Sequence, residues 1–174
     1  SHGFDLLYVL PLEKRMSSIS FALLALLGVE PTRLESGESA RTVEVDGRSR
    51  SYLVYAPKRV CDRTPLPVVL VFHGFGTDAA RMVQLCGMNK KAEQSGFLAV
   101  YPNGSGVGVI RVFQGGGLKG PVAEGLPDDV AFVRHILDDL QRIAKIDPKR
   151  VYAAGMSMGA MMCYRLAVEM PERI

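Results

Sequence analysis

The sequence has 174 residues, of which 48% are hydrophobic and 22% are charged, and this balance is typical of one globular domain with a sizeable core. The formal net charge of +3 is spread along the chain without a dense block of lysine and arginine, which argues against nucleic-acid binding. Cys61, Cys86 and Cys163 lie far apart without a CxxC pair, so no metal knuckle or thioredoxin-type motif is predicted. The three cysteines allow one disulfide in an oxidising compartment, and spacing alone does not choose which two of them form it.

The amino-terminal segment has the order of a secretory signal peptide. Basic residues precede the apolar run ISFALLALLGV over residues 19–29. The run is too short to span a bilayer comfortably, so stable membrane insertion is not expected. Residues 30–40 are polar and predict a linker, which gives a signal peptide and linker over 1–40 and one domain over 41–174. A buried helix and an artefact of gene prediction are the alternatives for the apolar run.

The first predicted elements of the domain are strands. Residues 41–57, RTVEVDGRSRSYLVYAP, alternate apolar and polar side chains on both sides of Asp46-Gly47. That dipeptide suits the positive backbone angles of a type I′ turn, so an antiparallel hairpin is predicted. An unbroken apolar run follows over residues 67–72, as expected for a central strand that helices cover on both faces. A parallel sheet is therefore predicted.

Helices and strands alternate in the remainder of the chain. Residues 78–95 predict a helix interrupted at Gly87, and GFLAVYPNG predicts a buried strand that ends at Pro102. Asp128 is a good N-cap for DDVAFVRHILDDLQRIAK, whose apolar residues recur at helical spacing. KRVYAAG then predicts a short strand, and GAMMCYRLAVEM predicts a helix. The order of a hairpin followed by strand, helix, strand, helix, strand and helix indicates an α/β domain with right-handed crossovers.

A glycine-rich segment covers residues 103–127. It predicts a long loop over a functional face rather than an element of the sheet. The segment lacks the GxxxxGK[ST] order, so a phosphate-binding loop is not predicted. A flexible surface excursion and a substrate-facing loop both remain open.

The segment Gly155-Met156-Ser157-Met158-Gly159 matches GxSxG and lies between a predicted strand and a predicted helix. This is the context of a nucleophile elbow, a tight turn that presents a serine hydroxyl at the edge of the sheet. Glycines two residues either side of the serine relieve crowding in such a turn. The pattern therefore predicts Ser157 as a nucleophile. The alternative is an ordinary turn in which the serine only caps the helix.

A second motif supports the first. His73-Gly74-Phe75-Gly76 directly follows the predicted central strand, and in this architecture that loop supplies one N–H group of the oxyanion hole. The helix after the serine supplies the other. We predict that the oxyanion hole consists of the backbone N–H groups of Phe75 and Met158.

The chain resembles the secreted esterases grouped as polyhydroxybutyrate depolymerases, feruloyl esterases and acetylxylan esterases. The resemblance lies in SYLVYAP, LVFHGFG, GFLAVYPNG, DDVAFVRHILDDL, IDPKRVYAAGMSMGAMMCYRLA and PERI, which cover most of residues 50–174. It implies the amino-terminal part of an α/β-hydrolase fold and ester hydrolysis through an acyl-serine. The implied substrates are a polyhydroxyalkanoate-type polyester or an acyl- or feruloyl-substituted plant polysaccharide. No metal or organic cofactor is implied, and the implied location is extracellular or periplasmic.

The partners of the serine are missing from the predicted site. In α/β-hydrolases the acid and the histidine follow the nucleophile in the chain, yet the only acids after Ser157 are Glu169 and Glu172, and no histidine follows it. His2 belongs to an end predicted to be disordered, and His73 has at most an orienting role in the loop. The third histidine, His135, lies about 160° around its helix from the apolar face, so it is predicted to be solvated.

We therefore expect the chain to be the amino-terminal portion of a longer serine esterase that is inactive alone. Loss of the general base removes a rate factor of about 10² to 10⁴. The alternative is a non-catalytic protein of the same fold that uses the pocket for binding. An acid and a histidine in sequence beyond residue 174 would favour the enzyme.

Overall fold

The computed structural model describes residues 33–58, 64–107, 110–116 and 125–174. The predicted signal peptide lies outside the described residues. The strands are β1 (Gly37–Val45), β2 (Arg48–Ala56), β3 (Leu66–Phe72), β4 (Leu98–Pro102), β5 (Ser105–Val107), β6 (Ile110–Val112) and β7 (Ile146–Gly155). The helices are α1 (Ala79–Cys86), α2 (Met88–Ser95), α3 (Asp129–Ile143) and α4 (Met158–Glu169).

Within the described residues, the main sheet has five strands in the order β1-β2-β4-β3-β7. β1, β2 and β4 are antiparallel neighbours, whereas β4, β3 and β7 run parallel. One apolar cluster packs α3 and α4 on one face of the sheet, and a second packs α1 and α2 on the other. The predicted α/β order and parallel strands are confirmed, and β3 is an interior strand between β4 and β7 with most of its side chains buried.

The amino-terminal hairpin is confirmed, including its turn. Val45 pairs with Arg48, and the two residues between them have φ of 50° at Asp46 and 72° at Gly47. Positive φ at both positions is the requirement of a type I′ turn. The hairpin starts earlier than predicted, because β1 begins at Gly37. Residues 37–40 are therefore part of a strand and not of the predicted linker.

Replacing Gly47 with alanine is expected to lower the free energy of unfolding by about 1 kcal/mol, because the new Cβ would occupy a positive-φ position. No atom lies within 4 Å of that Cβ, so the cost is conformational rather than steric. Urea unfolding of the two proteins measures it. A midpoint unchanged by the substitution would contradict this account of the turn.

The predicted helix over 78–95 is two helices that meet at Gly87. Asp78 caps the first by accepting a hydrogen bond from the Arg81 N–H at 2.8 Å. Gly87 has a φ of 63°, so it ends α1 and begins α2. The interruption expected at this glycine is therefore a break between helices.

The glycine-rich segment contains more structure than a loop. β5 and β6 pair as an antiparallel two-stranded sheet, separate from the main one. Residues 108–109 and 117–124 of the segment lie outside the described residues. The prediction was therefore right that the described part of the segment does not join the main sheet, and wrong that it forms only a loop.

A buried ion pair ties α3 to the hairpin. Asp128 caps α3 as predicted, accepting a hydrogen bond from the Val130 N–H at 3.0 Å. The next residue, Asp129, is 1% exposed and accepts a bond of 2.6 Å from Nη2 of Arg50, which is 6% exposed. Burial raises the pKa of Asp129, against the opposing influence of Arg50. Removing either partner would leave an uncompensated buried charge.

In the described part of the chain, β7 pairs with β3 along one side only. Its Tyr152 side chain is exposed. No helix in the described ranges combines the length and apolarity needed to cross a membrane. Cys86 and Cys163 are free thiols, while Cys61 lies outside the described residues.

Candidate active site

Ser157 lies in a sharp turn between β7 and α4. Its φ of 52° and ψ of −116° are far from helix and strand values, and Asp46 is the only other described non-glycine residue with a positive φ. Such a conformation costs on the order of 1–3 kcal/mol. Surrounding packing must therefore hold the serine in this geometry.

Two glycines make that packing feasible. A Cβ on Gly155 would overlap the carbonyl group of Gly159, and a Cβ on Gly159 would overlap the carbonyl oxygens of Phe72 and His73. The start of α4 therefore rests directly on the backbone at the end of β3. The Met156 N–H donates a hydrogen bond of 3.2 Å to the Phe72 carbonyl, which joins the turn to the same strand end. The spacing of the GxSxG motif follows from these close approaches.

The side chain of Ser157 is accessible to solvent. The residue is exposed, and its Oγ forms no hydrogen bond with any other described residue. The loop after β3 lies beside it, because a Cβ placed on Gly74 would be 3.7 Å from the Ser157 Cβ. The structure thus brings together the serine and the loop that the sequence predicted as its partner.

The two predicted oxyanion donors belong to the Gly74 loop and to the start of α4. Phe75 follows Gly74, and Met158 is the first residue of α4, where N–H groups have no partner within the helix. Across the described ranges, neither of these N–H groups donates a hydrogen bond. Both donors are therefore available to a ligand. Their role as an oxyanion hole remains a prediction.

His73 is buried and both of its ring nitrogens are engaged. Nε2 lies 2.9 Å from the Gly104 N–H and accepts its hydrogen bond, so Nδ1 carries the proton and donates to the Gly74 carbonyl at 2.8 Å. The ring also packs on Phe113, with 4.5 Å between ring centroids. Burial lowers the pKa of His73, which keeps the imidazole neutral. His73 therefore orients the loop and is not free to serve as a base.

The stability of the protein should depend on pH through His73. Its pKa is lower in the folded than in the unfolded protein, so its full contribution is present above pH 6.5, the unfolded value. That contribution falls as the pH drops towards the folded pKa, by at most about 1.4 kcal/mol per pH unit. Thermal melting of the protein and of His73→Gln between pH 4 and 8 tests this. Parallel curves would show that His73 does not contribute.

The remaining described histidine is exposed, and the two acidic residues after Ser157 are paired with arginines. His135 is exposed on α3, as its helical position predicted. Glu169 accepts a hydrogen bond from Nε of Arg165 at 2.7 Å, and Glu172 pairs with Arg134 at 2.7 Å. That contact with Arg134 lowers the pKa of Glu172. Among the described residues, none supplies an imidazole base to Ser157.

The sequence did not predict the hydrogen bonds that hold the segment after β6 against α3 and α4. Nη1 of Arg165 donates to the Gln114 carbonyl at 2.6 Å, and the Gln114 N–H donates to Asp129 at 2.6 Å. Gly115 lies against α4, because a Cβ there would be 3.0 Å from the Met161 Cβ. Nothing in the sequence around Arg165 indicates a contact with a residue 51 positions away.

The strand order, the parallel centre and the turn at Ser157 define the class: the protein has an α/β-hydrolase fold. A solved structure of an S-formylglutathione hydrolase from Agrobacterium tumefaciens superposes with a TM-score of 0.62 at 20% identity, covering 78% of this chain and 54% of that one. At this identity the likeness shows the fold alone.

The family follows from the sequence match. The chain belongs to the family described as esterase PHB depolymerase, which it matches over residues 50–174. It is 36% identical over 138 residues to NocK of Nocardia uniformis subsp. tsuyamanensis, a protein named as an esterase. That match covers 77% of this chain and 38% of NocK.

Two further relatives carry more specific names. The bifunctional acetylxylan esterase/xylanase XynS20E of Neocallimastix patriciarum is 30% identical, over 74% of this chain and 17% of its own length. Feruloyl esterase D of Neurospora crassa is 26% identical, over 84% of this chain and 49% of its own length. The chain therefore spans less than half the length of each of these curated relatives.

Proposed function

We propose that this chain carries the nucleophile and oxyanion hole of a carboxylic-ester hydrolase. The observation that carries the proposal is the exposed hydroxyl of Ser157, held at a φ of 52° beside the Gly74 loop without a hydrogen-bond partner in the described chain. A serine that only capped the helix would use its side chain for the cap. Ser157 makes no such bond.

The proposed reaction proceeds through an acyl-serine. A base removes the hydroxyl proton as Oγ attacks the ester carbonyl, and the N–H groups of Phe75 and Met158 stabilise the negative charge on the carbonyl oxygen. The C–O bond to the alcohol then breaks, and the alcohol leaves with the proton that the base had taken. Water attacks the acyl-serine in the same way and releases the carboxylic acid and the free serine.

The base is proposed to be a histidine that follows Ser157 in the full-length gene product, in the chain order of α/β-hydrolases. His73 already uses both ring nitrogens, and His135 is exposed on α3. Without that base, the described residues would retain only the slight activity that an oxyanion hole provides.

The proposed substrates are a polyhydroxyalkanoate-type polyester or an acyl- or feruloyl-substituted plant polysaccharide. The family description and the relatives named as acetylxylan and feruloyl esterases support this range. An extracellular or periplasmic location would suit such polymers, and the sequence pattern over residues 19–29 supports it.

Labelling with a fluorophosphonate tests the proposal, because such reagents form a stable bond with activated serines. The full-length gene product should gain one phosphonyl group on the peptide that contains Ser157. Labelling of another residue in its place would overturn the assignment of the nucleophile. If nothing is labelled but hydroxybutyrate oligomers or feruloyl esters bind, the protein is a non-catalytic member of the fold.

A further inference from the structure

A cavity of about 230 Å³ lies at the end of β4. It is lined by Asn103, glycines and Pro127, and by three arginines and three serines: Arg48, Arg50, Arg111, Ser49, Ser51 and Ser105. No acidic side chain lines it within the described residues. One water occupies about 30 Å³ in the liquid, so the cavity has room for a carboxylate with several attached carbon atoms.

The lining contains hydrogen-bonding groups without partners. In the described chain, five buried side-chain N or O atoms lack a hydrogen bond, and three of them belong to this lining: Nη1 of Arg50, Nε of Arg111 and Oγ of Ser105. Buried polar groups are rarely left unpaired, because each unmade bond costs about 1–3 kcal/mol. These three atoms are almost closed off from solvent, so a ligand with acceptor atoms would pair with them only after the side chains turn toward the cavity.

The guanidinium group of Arg50 is held in place by its neighbours. Its Nη2 donates to Asp129 at 2.6 Å and to the Asn103 carbonyl at 3.2 Å, and its guanidinium carbon lies 4.1 Å from the ring centre of Phe132. Asp129 balances the charge of Arg50. Arg48 and Arg111 form no ion pair with a described residue, so the cavity keeps an excess of positive charge.

The cavity is connected to the candidate active site. The Arg111 carbonyl accepts a hydrogen bond of 3.1 Å from the N–H of Gly76, which follows the predicted oxyanion residue Phe75. Gly104, in the cavity wall, donates to His73 in the same loop. The carboxyl ends of β4 and β7 lie on the same side of the sheet, separated by β3. Two spacings between neighbouring strands place these ends about 10 Å apart.

We propose that this cavity, named here the arginine subsite, binds a carboxylate carried by the ester substrate while the ester lies at Ser157. The inference rests on the proposed function and specifies its substrate as an acidic ester. Planar guanidinium groups match the two oxygens of a carboxylate. The free acid end of a hydroxyalkanoate oligomer and a uronic acid of a polysaccharide both offer this group.

Binding is measured on the full-length gene product with Ser157→Ala, so that no probe is hydrolysed. The probes are the 3-hydroxybutyrate dimer and a glucuronate disaccharide, each as free acid and as methyl ester, followed by the NMR signals of Gly104, Gly106 and the Arg111 side chain. At least one acid should bind, and its methyl ester should not. The acid that binds identifies the source of the carboxylate.

Three charge-removing variants localise the binding. Arg111→Gln should raise the Kd about tenfold, and the more exposed Arg48→Gln about two- to fivefold, without disturbing the buried Arg50. Arg81→Gln removes the same charge from an exposed position on α1 and should leave the Kd unchanged. Arg48 has no hydrogen bond to lose in the described chain, so its variant remains informative if Arg111→Gln does not fold.

The inference is overturned if neither acid binds, if the methyl esters bind equally well, or if inorganic sulfate binds as tightly as the acids. It is also overturned if Arg81→Gln weakens binding as much as the subsite variants. Phosphonate labelling of Ser157 is read separately. Carboxylate binding at the arginine subsite can therefore be refuted while the proposed ester hydrolysis is supported, and the opposite outcome can be distinguished as well.

Discussion

Replacing Ser157 with alanine is expected to reduce ester hydrolysis by the full-length gene product at least about 10³-fold, because the residue is proposed to form the covalent intermediate. The side chain is exposed and makes no hydrogen bond in the described chain, so its removal leaves packing intact. Short-chain nitrophenyl esters provide the measurement. The unsubstituted protein should show a burst of nitrophenol as the acyl-serine accumulates, and the variant should show none.

Ser95→Ala is the matched control, since Ser95 is exposed at the end of α2 and distant in sequence from the elbow. Its rate should equal that of the parent protein. Circular dichroism should give the same melting behaviour for all three proteins, or a slightly higher midpoint for Ser157→Ala. A Ser157→Ala protein that retains a tenth of the parent rate would show that another group is the nucleophile.

Replacing Gly159 with alanine is expected to lower the free energy of unfolding by about 3 kcal/mol, and to abolish labelling of Ser157. The added Cβ would overlap the carbonyl oxygens of Phe72 and His73, which are backbone atoms at the end of β3. Neither α4 nor β3 can yield without moving the serine away from the Gly74 loop. Urea unfolding measures the loss of stability.

Gly96→Ala separates this steric effect from a purely conformational one. Gly96 has a φ of 71°, but a Cβ there would meet no atom within 4 Å. Its replacement should cost about 1 kcal/mol and leave labelling of Ser157 unchanged. If Gly159→Ala costs no more than Gly96→Ala, α4 does not rest on the end of β3 as closely as described.

The features that the sequence predicted are those that short segments determine. Asp46-Gly47 needs only its own two positive φ angles, and the alternating residues around it define the hairpin register. The elbow is similarly local, because the glycines at 155 and 159 serve contacts within a few residues of Ser157 and with one strand end. Both motifs consist of residue types that few other backbone conformations require, so they can be recognised from the sequence.

The features that sequence reasoning missed depend on distant contacts. Arg50 and Asp129 are 79 residues apart, and nothing in either local segment indicates that they pair. The bond from Gly104 to His73 likewise joins two loops that only the sheet order brings together. The β5–β6 hairpin was not predicted because the segment is rich in glycine, which normally weakens a strand. The early start of β1 escaped because its first residues are polar and small.

The backbone conformation of Ser157 lowers the stability of the domain. Its positive φ suits glycine better than any side chain, and it occupies the start of α4 without making the capping bond that serines usually provide there. Glycine at 157 would relax the backbone at no cost to packing. Laboratory evolution for heat tolerance alone would therefore discard this serine early, and its retention under such selection would report a simultaneous demand for the hydroxyl group.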